Sequence, residues 1–361
     1  MNIKKNPSAL VVGLALFSMF FGSGNLIFPL LLGANYQGYF PIATLGFVIT
    51  AVILPSFGIL AMVLAGGDYN KIFINIMPKK YSQTLIFLIL LFWIPFGSGP
   101  RCILLAHASV KTYITFLPNI WSFSLIFLSL VYFFIKNQNK VINLLGKVLT
   151  PLLLLSIFLI VFASFEKINF TPPLQSMSDV FFKSVLSGYY TQDLIAAIFF
   201  SATLVGMLNH QNLPKAILTK KIWQAGLIAV ILLGVLYACL MASSAAFSEN
   251  LISLSGEQLI SALAQEALGA TFGTISSVIV FLACFTTEIA LVLVMTNFIA
   301  SISHKNYQIS LFASLFLIWF MSLLDFSSLM NIISFAMQII YPILFILVLR
   351  FLWSHSEKRA A

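Results

Sequence analysis

Residues Phe21 to Pro29 read FGSGNLIFP and place two glycines, a serine and an asparagine inside the first long apolar stretch of the chain. In lipid, every unpaired backbone group carries a penalty of several kcal/mol. A helix broken at Gly22, Ser23, Gly24 and Asn25 therefore has to be lined or occupied by polar partners. Its freed amides and carbonyls would suit an ion or the charged ends of a small molecule. Close helix packing through small residues is the other use of such spacing. A second run of the same character, SGYYTQDLIAAIFF (187–200), opens with Gly188, Thr191, Gln192 and Asp193. Three charges, Arg101, Asp193 and Glu288, also fall within apolar stretches, with His107 near the end of one. Each costs at least about 2.5–3.5 kcal/mol at the bilayer centre, so each is expected to face a cavity or a partner. An ion pair of Arg101 with Asp193 or Glu288 is the structural expectation.

Composition says what kind of element carries these residues. Of 361 residues, 60% are hydrophobic and 8% charged, where a soluble domain has roughly a quarter charged. The fold class is all-α, and the chain reads as a polytopic membrane protein. A crossing takes roughly 20 mainly apolar residues, and ten segments qualify: 8–32, 41–65, 83–108, 120–135, 142–165, 182–208, 222–247, 270–300, 308–324 and 329–353. The start, MNIKKNPSALVVGLALF, resembles a secretory signal. Its apolar run outlasts a signal core and meets no small-residue cleavage site, so it is read as a retained first span. Cys102, Cys239 and Cys284 lie inside apolar stretches, which leaves no disulfide framework and no metal-ligand spacing.

The basic residues test that count, because a missed helix would scramble their alternation. With the N-terminus in the cytoplasm, all but four of the 19 fall on the cytoplasmic side, from Lys4 and Lys5 through Lys71, Lys136, Lys220 and Lys305 to Arg350 and Arg359. The four are Lys111, Lys167 and Lys183 in outer loops, and Arg101 within a span. Most acids, including Glu166, Asp179, Glu249, Glu257, Glu266 and Asp325, collect outside. The net charge of +9 is thus an orientation signal, and no nucleic-acid partner is expected. Ten helices divide into five plus five, and an odd number per half makes the second half run in the opposite direction. The polar connector at 165–183 falls where the boundary should lie, giving one transport domain (1–361) with repeats at 8–165 and 182–353. In such a fold the first helix of each repeat is the one expected to be broken, which is where the two polar runs stand.

These residues match a known pattern. FGSGNLIFP resembles the first-helix signature G-A-G-N-[IL]-I-F-P of the bacterial branched-chain amino acid carriers. GYYTQDLIAA resembles their sixth-helix G-Y-x-T-x-D-x-x-A-A, and GSGPR (97–101) their third-helix P-R segment. FLACFTTEIAL (281–291) is similar to their eighth helix and IIYPILFILVL (339–349) to their tenth. The matches are collinear over the whole chain. That family belongs to the amino acid–polyamine–organocation superfamily with the leucine-transporter-type inverted-repeat fold. The resemblance implies import of leucine, isoleucine and valine with a coupling cation, Na⁺ or H⁺, across the bacterial cytoplasmic (inner) membrane, with no other cofactor.

Carried over, the resemblance gives the substrate carboxylate to the backbone amides at Gly22, Ser23 and Gly24, with Asn25 beside the substrate or a cation. Tyr190 would cover the site, Thr191 and the carbonyls around Gln192 would face the substrate amine, and Asp193 would meet the ammonium or a cation. Ile195 and Phe199 are expected, by spacing, to line an aliphatic pocket. The implied cation site takes the carbonyls of Ser18, Phe21 and Ala283 and the hydroxyls of Thr286 and Thr287, an all-oxygen set suited to a hard cation. The alternative for the threonines is back-bonding to their own helix. Glu288 departs from the family pattern, where a small or apolar residue follows the hydroxyl pair. It is a candidate cation ligand, proton carrier or partner of Arg101. Relatives continue with further helices beyond FLWSHSEKRAA, and the ten-helix core is expected to transport without them.

Other classes fit less well. There is no HExxH, no GxSxG serine, no paired-aspartate diphosphate motif and no pore-loop signature. A non-transporting amino acid receptor on the same fold, or an exchanger or carrier for another neutral amino acid such as methionine, shares the features above.

Overall fold

The computed structural model describes residues 7–111, 113–114, 116, 118–135, 138–164, 175–209, 214–256, 258–269, 274–303, 306–324 and 326–360. Lys4, Lys5, Lys136, Glu166, Lys167, Glu257, Lys305, Asp325 and most of the 165–183 connector lie outside them. Among the described residues the fold is entirely helical, with no strand.

The helices, in order, are α1 (Ala9–Phe20), α2 (Ser23–Tyr36), α3 (Phe40–Val48), α4 (Leu54–Leu64), α5 (Asn70–Ile74), α6 (Lys79–Trp93), α7 (Gly99–Lys111), α8 (Ile120–Ile135) and α9 (Gln138–Leu144). Then follow α10 (Thr150–Ser164), α11 (Met177–Tyr189), α12 (Asp193–Asn209), α13 (Lys215–Ala246), α14 (Ser248–Leu251), α15 (Leu259–Leu268), α16 (Thr274–Ser303), α17 (Tyr307–Met321) and α18 (Phe326–Ala360). Among the described residues, seven helical runs are long and apolar enough to cross a membrane: Ser23–Leu64, Lys79–Lys111, Val141–Ser164, Met177–Asn209, Ala216–Ala246, Ser276–Ser303 and Phe335–Glu357. Shorter apolar helices are Ala9–Phe20, Ile120–Ile135, Leu259–Leu268 and Tyr307–Met321. The protein is a multi-pass membrane protein.

Three of the runs carry a π-helical turn, at Ile49–Ile53, Ile94–Ser98 and Leu145–Leu149. Such a turn holds one residue too many for the α-helix and shifts the faces on either side of it. The turn before α7 has a cause in sequence: Pro95 and Pro100 lack amide donors, and Gly97 between them adopts φ −127°, ψ −107°. Two short helices, α14 and α15, occupy the stretch after α13 that the sequence assigns to a loop.

Packing is crossed between the halves of the chain. Both α1 and α2 lie on α13, while α11 lies on α3 and α12 on α4. Helix α7 packs on α16, α10 on α1 and α16, and α18 on α12 and α7. The core runs through these contacts, with Trp93, Tyr237, Tyr341, Phe17, Phe47 and Phe127 among its largest buried side chains.

Candidate functional site

The first break falls where the glycines predict it. Helix α1 ends at Phe20, with Phe21 closing it through its amide to the Phe17 carbonyl at 2.8 Å. Gly22 is extended (φ −109°, ψ −157°) and α2 starts at Ser23. The last carbonyls of α1 and the first amides of α2 therefore lose their intrahelical partners. Pro29 lacks an amide, so the Asn25 carbonyl one turn back is freed as well.

Helix α16 lies against this break. Thr286 Oγ1 donates to the Ser18 carbonyl at 3.0 Å and to the Ala283 carbonyl of its own helix at 3.1 Å. Thr287 Oγ1 lies 3.0 Å from the Met19 carbonyl and 3.3 Å from that of Ser18. A Cβ on Gly22 would stand 2.9 Å from Thr287 Cγ2, so the approach requires glycine here. Two hydroxyls and three carbonyls thus converge. Of the five predicted oxygen donors the structure brings together Ser18, Ala283, Thr286 and Thr287. The Met19 carbonyl, within the last turn of α1, joins them opposite Thr287.

The second break spans Tyr190 to Gln192, between α11 and α12. Gln192 takes the left-handed conformation (φ 67°), strained for a residue with a Cβ. Its Oε1 accepts a hydrogen bond from Ser98 Oγ, while its Nε2 is buried with no partner among the described residues. Asp193 opens α12, where a negative charge suits the helix dipole. Its carboxylate accepts from Asn25 Nδ2 at 2.9 Å on both oxygens and from Tyr237 OH at 3.0 Å. Asn25 Nδ2 also meets Tyr237 OH. Nearby, Tyr341 OH accepts from the Leu194 amide at 3.1 Å and donates to the Thr50 carbonyl at 3.2 Å. Thr191 Oγ1 bonds back to Gly188 at 2.8 Å.

Arg101, on α7, reaches between the two breaks. It is 2% exposed. Nε donates to Ser23 Oγ at 2.8 Å, Nη1 to the Tyr190 carbonyl at 3.4 Å and Nη2 to Ser98 Oγ at 3.5 Å. Asp193, for its part, gives its oxygens to Asn25 and Tyr237. Both Glu288 oxygens are buried with no hydrogen-bond partner among the described residues. His107 bonds the Pro118 carbonyl at 3.1 Å, away from the breaks.

A small cavity of about 10 Å³ lies at the centre. Gly22 to Asn25, Ser98, Arg101, Thr191, Asp193 and Thr287 supply its polar wall, and Phe20, Trp93, Ala196, Phe200 and Leu291 its apolar wall. Ile195 and Phe199 do not line it. Their neighbours Ala196 and Phe200 do, because α12 begins at Asp193 and its face is one residue out of phase with the expected one. Tyr190 does not line the cavity either: its carbonyl accepts from Arg101 and its ring packs on Phe28 at 5.9 Å. Rings then run from this cavity to another: Phe20 on Phe200 (5.9 Å), Phe200 on Trp93 (5.2 Å), Trp93 on Phe199 (5.9 Å) and Phe199 on Tyr69 (5.1 Å). The second cavity, about 300 Å³, is lined by Tyr69, Phe199, Thr203, Met207 and Asn297 among others.

Tyr237, Tyr341, Ser98, Trp93 and the Met19 carbonyl are missing from the sequence-based set. Only Ser98, the serine of the G-S-G-P-R segment, and Trp93, four residues before it, had a signal.

Comparison with known proteins agrees with this architecture. The profile of the family described as "Branched-chain amino acid transport protein" matches residues 5–360. A candidate branched-chain amino acid carrier protein of Staphylococcus epidermidis is 29% identical, over 96% of this chain and 83% of its own. A similarly described protein of Staphylococcus aureus is 28% identical, over 95% of this chain and 81% of its own. Among solved structures, Mhp1, a nucleobase-cation-symport-1 family transporter in a closed conformation with bromovinylhydantoin bound, superposes with a TM-score of 0.61. It is 16% identical and aligns over 96% of this chain and 80% of its own.

Proposed function

As the chain belongs to the branched-chain amino acid transport protein family, we propose that it imports leucine, isoleucine or valine across the bacterial cytoplasmic membrane. It does so as a secondary active transporter, by symport with Na⁺, or with H⁺ in its place, through alternating access. The observation that carries this reading is the central cavity, bounded at once by both helix breaks, by buried groups of opposite charge and by an apolar wall. Opposite charges side by side suit a zwitterion, and the apolar wall suits an aliphatic side chain.

In this reading the first-turn amides of α2, from Ser23 to Asn25, meet the carboxylate beside Gly22, and Asp193 with the Tyr190 carbonyl meets the ammonium. The coupling cation sits among the carbonyls of Ser18, Met19 and Ala283 and the hydroxyls of Thr286 and Thr287. A single ion there would replace the hydrogen bonds that now join α16 to α1, and so would couple its binding to the first break. Glu288, next along α16, is the candidate for proton coupling. The aromatic series from Phe20 to Tyr69 would part the central site from the larger cavity, which lies on the cytoplasmic side in the orientation set by the basic residues.

We read the helices as ten crossings in two inverted repeats. Their packing supports this by its reciprocity. The broken first helix (α1, α2) lies on α13, the seventh, while the broken sixth (α11, α12) lies on α3 and α4, the second. The same exchange of halves converts α10 on α1 into α18 on α12, and α7 on α8 into α16 on α17.

The test is uptake of labelled leucine into proteoliposomes under separate Na⁺ and pH gradients, with isoleucine, valine and methionine as competitors. An inward Na⁺ gradient is expected to drive accumulation. Absence of competition by every one of these amino acids would overturn the substrate class.

A further inference from the structure

We infer that Arg101 is the receptor for the carboxylate of the transported amino acid, holding it in its guanidinium fork against the first helix break. This deepens the transport reading above and rests on it.

The guanidinium lies directly over the start of α2. A Cβ on Gly24 would stand 2.9 Å from Nη2, and Nε donates to Ser23 Oγ at 2.8 Å. Beneath it, the amides of Ser23, Gly24 and Asn25 form the first turn of α2 and have no acceptor within the helix. The positive end of the helix dipole points the same way. A fixed cation over a helix N-terminus is an unfavourable pairing that an anion between them converts into a favourable one. A carboxylate matches both sides, because its two oxygens accept the parallel donors of a guanidinium and still offer lone pairs to backbone amides.

The weaker contacts of Arg101 say what binding would displace. Its bonds to the Tyr190 carbonyl (3.4 Å) and Ser98 Oγ (3.5 Å) are long. Drawing the guanidinium onto a carboxylate releases the Tyr190 carbonyl beside Asp193, where the ammonium is then received. In the closed cavity Arg101 keeps the place of that ammonium, and the substrate takes it over by engaging Arg101 at its other end. Ser98 ties the same motion to the second break, since its hydroxyl also donates to Gln192 Oε1. The site would therefore select α-amino acids with a free carboxylate, with the side chain read separately by the apolar wall.

The experiment measures displacement of labelled leucine from the purified full chain by unlabelled leucine and by leucinamide, which keeps the ammonium and side chain and lacks the carboxylate. Wild type is expected to prefer leucine on the order of 100-fold. Arg101→Gln is expected to lose most of that preference by weakening leucine while leaving leucinamide unchanged. Arg101→Lys, which keeps the charge and loses the fork, is expected to stand between them. Should Arg101→Gln not fold, the lysine variant decides, with a preference reduced about tenfold. An unchanged leucine-to-leucinamide ratio in a folded variant would overturn the assignment, because a purely structural role weakens both ligands together. If wild type binds a neutral amino acid outside the branched-chain group and none of leucine, isoleucine and valine, the substrate reading fails. The same comparison then runs on that amino acid and its amide, so the two failures are distinguishable.

Discussion

Asn25 joins the two helix breaks through one amide, donating at 2.9 Å to both carboxylate oxygens of Asp193, 168 residues further along the chain. The contact is buried, and Tyr237 closes it from α13. Neither break can shift relative to the other without parting this group.

Asp193→Asn removes the charge and sets one amide against another. A charge-assisted bond is worth about 1.5–3 kcal/mol, so leucine uptake is expected to fall on the order of 100-fold. Tyr237→Phe, which removes one donor and leaves the carboxylate to Asn25, is expected to cost about tenfold. Initial uptake rates in proteoliposomes, normalised to reconstituted protein, check both.

Thr287→Val keeps the volume that Gly22 packs against and removes a hydroxyl from the Ser18 and Met19 carbonyls. The concentration of Na⁺ giving half-maximal uptake is expected to rise about tenfold or more, with leucine binding at saturating Na⁺ little changed. Gly22→Ala is expected to impair both, because its methyl group meets Thr287. Titration of leucine binding with Na⁺ separates the two effects.

Glu288 is buried with both oxygens lacking a hydrogen-bond partner among the described residues. Glu288→Gln preserves its volume, and Na⁺-driven uptake is expected to stay within about threefold of wild type, a change under roughly 1 kcal/mol. Loss of uptake driven by a pH gradient, with binding intact, would move the coupling to this residue.

Trp93 touches both Phe199 and Phe200 and lines the central cavity. Trp93→Ala is expected to raise leucine exchange between preloaded vesicles and medium while lowering accumulation against a gradient. Counterflow and net uptake measured on the same vesicles distinguish a loosened partition from general loss of activity.

Both breaks were legible in the sequence because glycine, serine and asparagine inside an apolar run have few uses other than interruption or close packing. The threonine pair and the buried charges were legible for a similar reason: polar groups at membrane depth are expensive. Tyr237 and Tyr341 were not, since an isolated tyrosine in an apolar helix reads as core. What makes them polar partners is a carboxylate and a backbone amide brought in from α12. The choice of Ala196 and Phe200 over Ile195 and Phe199 depended on where α12 begins, and a left-handed Gln192 fixes that point without any local signal. The π-helical turns had a local signal, because each is followed two residues on by a proline, Pro55, Pro100 and Pro151.

The crossed packing of the halves has a consequence for biosynthesis. The broken first helix finds its resting partner in α13, so it must wait in the bilayer until residues 215–246 have been made and inserted. The surface that encloses the break at Gly22 comes later still, with Thr286 and Thr287 of α16. Arrested chains ending before Lys215 should therefore keep their first helix exposed to proteases and to membrane quality control, and supplying the second half as a separate fragment should relieve that exposure.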